Sequence, residues 1–204
     1  MVDLTKLSVV PITVTEIIVI GVVATLTTDL WQRLLQAIGF PPANWGLVGR
    51  WVAGFLHGSF IHRSIAATPK VPGEIAIGWA FHYVVGIAYA ALYLAIMRLA
   101  FGSGPTLVSA LVFATALLIA PWFVMQPALG FGFMAARTPK PTVVRAYNAS
   151  VHAVFGLGLY LGAVAWSELP SNGGDHRVGV ARAASDPAAV ADIPTTPTDV
   201  RFRG

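Results

Sequence analysis

The chain has no cysteine, which excludes structural disulfides, thiolate metal centres and cysteine nucleophiles. Charge is scarce too. Only 11% of the 204 residues are Asp, Glu, Lys or Arg, against roughly a quarter in an ordinary soluble domain. What replaces the charge is apolar: 56% of the residues are hydrophobic and the mean hydropathy is +0.71. Such a chain cannot cover a water-facing surface, and its composition indicates a membrane protein. No serine sits in a nucleophile-elbow context, no glycine loop has phosphate-binding spacing, and no pair of carboxylates is placed for hydrolysis. No catalytic constellation is therefore assigned. The net charge of +4 does not indicate nucleic acid, because the basic residues are scattered between apolar runs without forming a patch. In a membrane protein they report topology first.

Four stretches are long enough, at about 20 residues each, to cross a ~30 Å hydrocarbon layer as helices. The first, about 14–38, opens on Thr13 with Glu16 three residues later, a capping-box pattern, and stops at Gly39 before Pro41-Pro42. Glu16 reads as a cap. The segment before it, "MVDLTKLSVVPITVTE", lacks a basic leader, so the first span is expected to stay in the mature protein. The second span, about 74–97, begins with Glu74, an acid facing the helix dipole, and closes at Arg98 and "GSGP". The third, about 106–127, follows Pro105 and carries Pro121, where a kink is expected. The fourth covers about 143–166.

Between the first two spans, "NWGLVGRWVAGFLHGSFIH" places Leu47, Val48, Trp51, Val52 and Phe55 on one face at helical spacing. It is too interrupted to span, and it predicts a short interfacial or re-entrant helix over about 44–58, with Arg50, His57 and His62 as interfacial residues. The six tryptophans mostly fall near span boundaries and read as interface anchors. The fold class is thus all-α: a membrane domain over 1–168 and a disordered tail over 169–204, rich in small residues and proline without apolar period. Arg33, Arg50, Arg63, Lys70, Arg137, Lys140 and Arg145 lie in the two long loops or at the span ends that flank them, which places those loops in the cytoplasm and both termini outside.

The informative residues are the polar ones inside the spans. Around His82 the helix face reads Gly78, His82, Gly86, Ala90; the fourth span repeats the pattern with Asn148, His152 and Gly156, and the first with Gly21, Thr25, Asp29 and Arg33. Residues four apart share a face, and small residues at that spacing are where helices in lipid pack closely. Each stripe therefore faces another helix. Both histidines lie at similar depth, Asp29 falls near that level, and Gln126 lies somewhat closer to the cytoplasm. The expectation is one polar layer of Asp29, Arg33, His82, Gln126, Asn148 and His152, with Asp29 and Arg33 able to pair and reduce the burial penalty.

Three readings of that layer stay open. The groups could be hydrogen-bonding glue between helices in a structural or assembly protein. They could line a path for a proton, ion or small solute, in a transport or transport-accessory protein. They could bind a cofactor, His82 and His152 ligating haem, or a divalent metal together with Asp29. No cofactor is assigned beyond that alternative. Partners are the lipid bilayer and either a second copy, as a homo-oligomer, or another membrane protein; nucleic acid is not among them.

The segments "TTDLWQRLL", "NWGLVGRWVAGFLHG", "IHRSIAATPKVPGE", "GWAFHYVVGIAYA", "PWFVMQPALGFGFMAARTP" and "VHAVFGLGLY" occur in this order between about residues 27 and 162. Together they resemble an uncharacterised bacterial family of small four-span inner-membrane proteins, a domain of unknown function. The resemblance implies a multi-pass protein of the bacterial cytoplasmic membrane and carries no activity with it.

Overall fold

The computed structural model describes residues 11–169, so all but the first residue of the tail expected to be disordered lies outside the described residues. The described chain is helical without strands. Helix α1, Val14–Ala37, starts where Thr13 Oγ1 accepts the Glu16 N–H at 3.2 Å. It ends in a left-handed turn: Gly39 has φ of +96°, and the Phe40 and Gly39 amides return to the carbonyls of Leu35 and Gln36. Helix α2, Trp45–Gly54, is capped by Asn44, whose side chain accepts from the Leu47 amide, and a tighter turn, Phe55–His57, continues it. Helix α3, Glu74–Ala95, widens into a final π-type turn, Ile96–Ala100. The third span, α4, runs over Leu107–Ala128. It opens on a reciprocal Thr106–Ser109 capping box and loosens into π-type turns over Ala120–Met125, around Pro121. A proline in a helix interior removes one amide donor and crowds the preceding turn, so the kink has a local cause. Helix α5, Pro141–Glu168, uses proline at its first position.

Helices α1, α3, α4 and α5 are long and apolar enough to cross a membrane. At 1.5 Å per residue, α1 alone is ~36 Å long. Leu26, Leu30 and Leu34 of α1, Val84 and Leu92 of α3, and Val112 and Ile119 of α4 are exposed on the outside of the bundle. In water such a surface would drive aggregation; against acyl chains it is the appropriate solvent face. The molecule is therefore a multi-pass integral membrane protein.

In lipid the hydrophobic effect does not hold helices together, and close van der Waals packing must. The seams show how. Helix α1 packs on both α3 and α5, α4 packs on α5, and α2 lies along α3. A Cβ added at Gly21 would stand 2.6 Å from Ile87 Cα, and one at Gly158 would stand 2.7 Å from Ala24 Cα. Only glycine permits those backbones to approach so far. The main core, around Ile20, Tyr93, Leu94, Ala114, Phe155 and Leu159, joins the four spans. A second core of Trp51, Ile65, Ala128 and Leu129 ties α2 to the end of α4. The 58–73 loop closes onto that end through His62 N–H to Ala128 O at 2.8 Å and Ile65 N–H to Leu129 O at 3.1 Å.

Candidate functional site: a polar-lined cleft within the bundle

Asp29 is half-buried on α1, one helical turn past Thr25 on the face that meets α3. His82 Nε2–H donates to Asp29 Oδ1 at 2.9 Å, and the Tyr83 hydroxyl donates to Oδ2 at 2.8 Å. Both carboxylate oxygens are thereby engaged by consecutive residues of α3. The expected pair with Arg33 does not form: Arg33 is exposed, and the two nearer donors from α3 occupy the carboxylate. Trp45, at the start of α2, lies over the His82 ring with centroids 4.1 Å apart and an interplanar angle of 34°. It also meets Trp79 at 5.3 Å. The imidazole is held by a carboxylate on one edge and an indole over its face.

From α5, His152 Nδ1 lies 2.9 Å from the Asn148 carbonyl. A carbonyl only accepts, so Nδ1 carries the proton and, in the neutral ring, Nε2 is left as an acceptor. Two more links bind α5 to α1: the Tyr147 hydroxyl donates to Gln32 Oε1 at 3.0 Å, and Trp31 Nε1–H donates to Ser150 Oγ at 3.1 Å. Gln126 stands apart. It is 4% exposed, yet its Oε1 is buried without any hydrogen-bond partner. An unmade bond of this kind costs about 1–3 kcal/mol.

These groups border a cleft of about 490 Å³. His82, Gln126, Asn148 and His152 all line it, together with Trp51 and Phe81. A second cavity of about 400 Å³ lies beside it, lined by Asp29, Arg33, Gln36 and Trp79. Gln32, Asn44 and Trp45 border both. The structure thus splits the residues expected in one layer. Four line the large cleft, whereas Asp29 and Arg33 line the smaller cavity, and the Asp29–His82 hydrogen bond links the two groups.

The residues expected at the interface separate as well. Arg50 is buried within the protein at 7% exposure. It makes a two-point contact with Glu74 (Nε–Oε2 2.8 Å, Nη2–Oε1 2.9 Å), and its Nη1–H also donates to the carbonyls of Ile65 and Thr68. The hydrogen bonds it donates to Glu74 raise the guanidinium pKa above its already high ordinary value, so Arg50 stays charged. Glu74 therefore faces a guanidinium as well as the start of its helix. His57 is exposed, and His62 is half-buried with an unpartnered Nδ1. At the other end of α3, Arg98 donates to both carboxylate oxygens of Glu16. Glu16 thus pairs across helices instead of closing the capping box. Among the described residues, no group of three or more His, Asp or Glu side chains is placed to hold a metal.

Sequence reading had missed Tyr83, Gln32 and Tyr147 as partners, and Arg98 as the mate of Glu16. The last pair had a signal: in an antiparallel α1–α3 hairpin, a residue near the start of α1 lies opposite one near the end of α3.

The geometry defines a class, that of a polytopic α-helical membrane protein with a polar-lined cleft between its spanning helices. The chain belongs to the family described as Protein of unknown function (DUF2938), whose sequence model matches residues 18–166. That stretch includes every cleft residue named above. No curated protein and no solved structure matches the chain.

Proposed function

We propose that this chain is a transport or transport-accessory protein of the bacterial inner membrane, and that its cargo occupies the cleft bordered by His82, Gln126, Asn148 and His152. The observation that carries this reading is the cleft itself. A bundle whose polar groups served only as glue would bond them to one another across a closed seam. Here about 490 Å³ remains between the helices, within the 300–1,000 Å³ range of small-molecule sites. A buried amide beside it has its Oε1 unpaired. Asp29 belongs to the reading because it holds His82 in place from the neighbouring cavity.

The experiment is flux in energised proteoliposomes, read with the uncharged lipophilic dye Nile red and with cationic ethidium. Wild-type protein should move at least one dye faster than protein-free vesicles, and Asp29→Asn should return that rate to the protein-free level. Wild-type flux at baseline for both dyes, or an Asp29→Asn rate equal to wild type, refutes the proposal.

A further inference from the structure

We infer that the cleft takes an uncharged, lipid-soluble molecule with an apolar body and one hydrogen-bonding head, a long-chain alcohol or phenol in chemical terms. The inference rests on the cleft being the cargo site, as proposed above, and names the class of cargo. The first argument is what borders the cavity. No Asp, Glu, Lys or Arg lines it, and Asp29, the nearest acid, has both oxygens occupied by His82 and Tyr83. A charged ligand would lose its hydration shell and gain no counter-ion, at a cost of several kcal/mol.

The second argument is the unmet polarity. The Gln126 amide makes no side-chain hydrogen bond and its Oε1 is fully enclosed. The bond between His152 Nδ1 and Asn148 leaves Nε2 of the neutral ring as an acceptor. A free histidine acceptor and an unbonded amide on a mostly apolar wall fit a hydroxyl, which both donates and accepts. A pure hydrocarbon would leave both unsatisfied. The third argument is access. Val124 of α4 and Val143 of α5 line the cleft and are 58% and 39% exposed. Apolar side chains at the cleft wall are thus themselves exposed, which suits entry of a lipid-soluble molecule from the bilayer.

The test is photolabelling of the full chain in lipid nanodiscs with a diazirine-bearing dodecanol, followed by peptide mapping. Unlabelled dodecanol, laurate, dodecyltrimethylammonium and dodecane serve as competitors. Label is expected on cleft residues such as Trp51, Val85 and Phe155, displaced by dodecanol and not by laurate or the ammonium. Gln126→Leu should weaken dodecanol competition about tenfold, the worth of one hydrogen bond, and leave dodecane unaffected. This variant removes an unpaired buried oxygen, so no hydrogen bond within the protein is lost with it. Competition by either charged probe equal to that of dodecanol overturns the inference while leaving the cleft as a cargo site. Dodecane competing as well as dodecanol also overturns it, reducing the cleft to a groove filled by acyl chains. Label confined to the outer faces of the helices removes the cargo site itself. Absent dye flux with intact cleft labelling would refute transport and leave the ligand class standing.

Discussion

Replacing Asp29 with asparagine keeps the shape of the side chain and changes what it can accept. In the native protein each carboxylate oxygen takes one donor, His82 Nε2–H on Oδ1 and the Tyr83 hydroxyl on Oδ2. Asparagine offers one oxygen and one NH₂ group, so one of the two donors then faces another donor. Hydrogen bonds to a charged acceptor contribute about 1.5–3 kcal/mol each. Removing the charge also relieves part of its burial cost in the half-buried site. The net loss should be about 1–2 kcal/mol, which lowers Tm by about 2–8 °C for a chain of this size. The decisive measurement is a double-mutant cycle of Asp29→Asn with His82→Gln, read by reversible unfolding in mixed micelles. Contacting residues in one hydrogen-bond network couple by about 0.5–3 kcal/mol, and a value above about 1 kcal/mol is expected here. Additivity within about 0.3 kcal/mol, the behaviour of independent sites, would show that the bond does not hold these helices together and would refute the reasoning.

Two further predictions concern the frame. Glu16→Gln leaves the Arg98 guanidinium without its carboxylate at the α1–α3 end; breaking a buried pair costs about 3 kcal/mol, to be seen as a lower Tm in detergent that the double variant Glu16→Gln, Arg98→Met partly restores. Gly158→Leu forces a side chain where Ala24 Cα is already 2.7 Å from an ideal Cβ, so it should destabilise by about 2 kcal/mol or separate α1 from α5, whereas Leu26→Ala on the outer face should change stability by less than about 0.5 kcal/mol.

The spans were legible because each is a long apolar run closed by glycine or proline signals, and the observed boundaries fall within about two or three residues of those expected. Pro121 likewise announced the loosened stretch of α4, since a missing amide acts locally. Small-residue stripes told which faces meet, and Gly21, Gly86 and Gly156 do lie in tight seams. Which polar group bonds which was not legible. Asp29 and Arg33 are neighbours by helical spacing, but the carboxylate turned to His82 and Tyr83, because contacts across helices depend on rotation and tilt that the periodicity of one helix does not contain. Arg50 misled for a related reason. It was read as interfacial from its place on a short amphipathic helix, and only the fold shows Glu74 and two loop carbonyls converging on it. The cleft is the least legible feature of all, being the space that five helices fail to fill.

Helix α3 is fastened at both extremities, by Arg50 to Glu74 at its start and by Glu16 to Arg98 at its finish. A strut pinned twice resists sliding and tilting. The opposite wall of the cleft is built differently, for Leu117, Pro121, Met125 and Gln126 all come from the segment of α4 whose regular hydrogen-bond ladder is interrupted. Any widening of the cavity to admit a guest therefore meets least resistance on that side, with α3 as the stationary jaw and the proline-softened half of α4 as the one that yields.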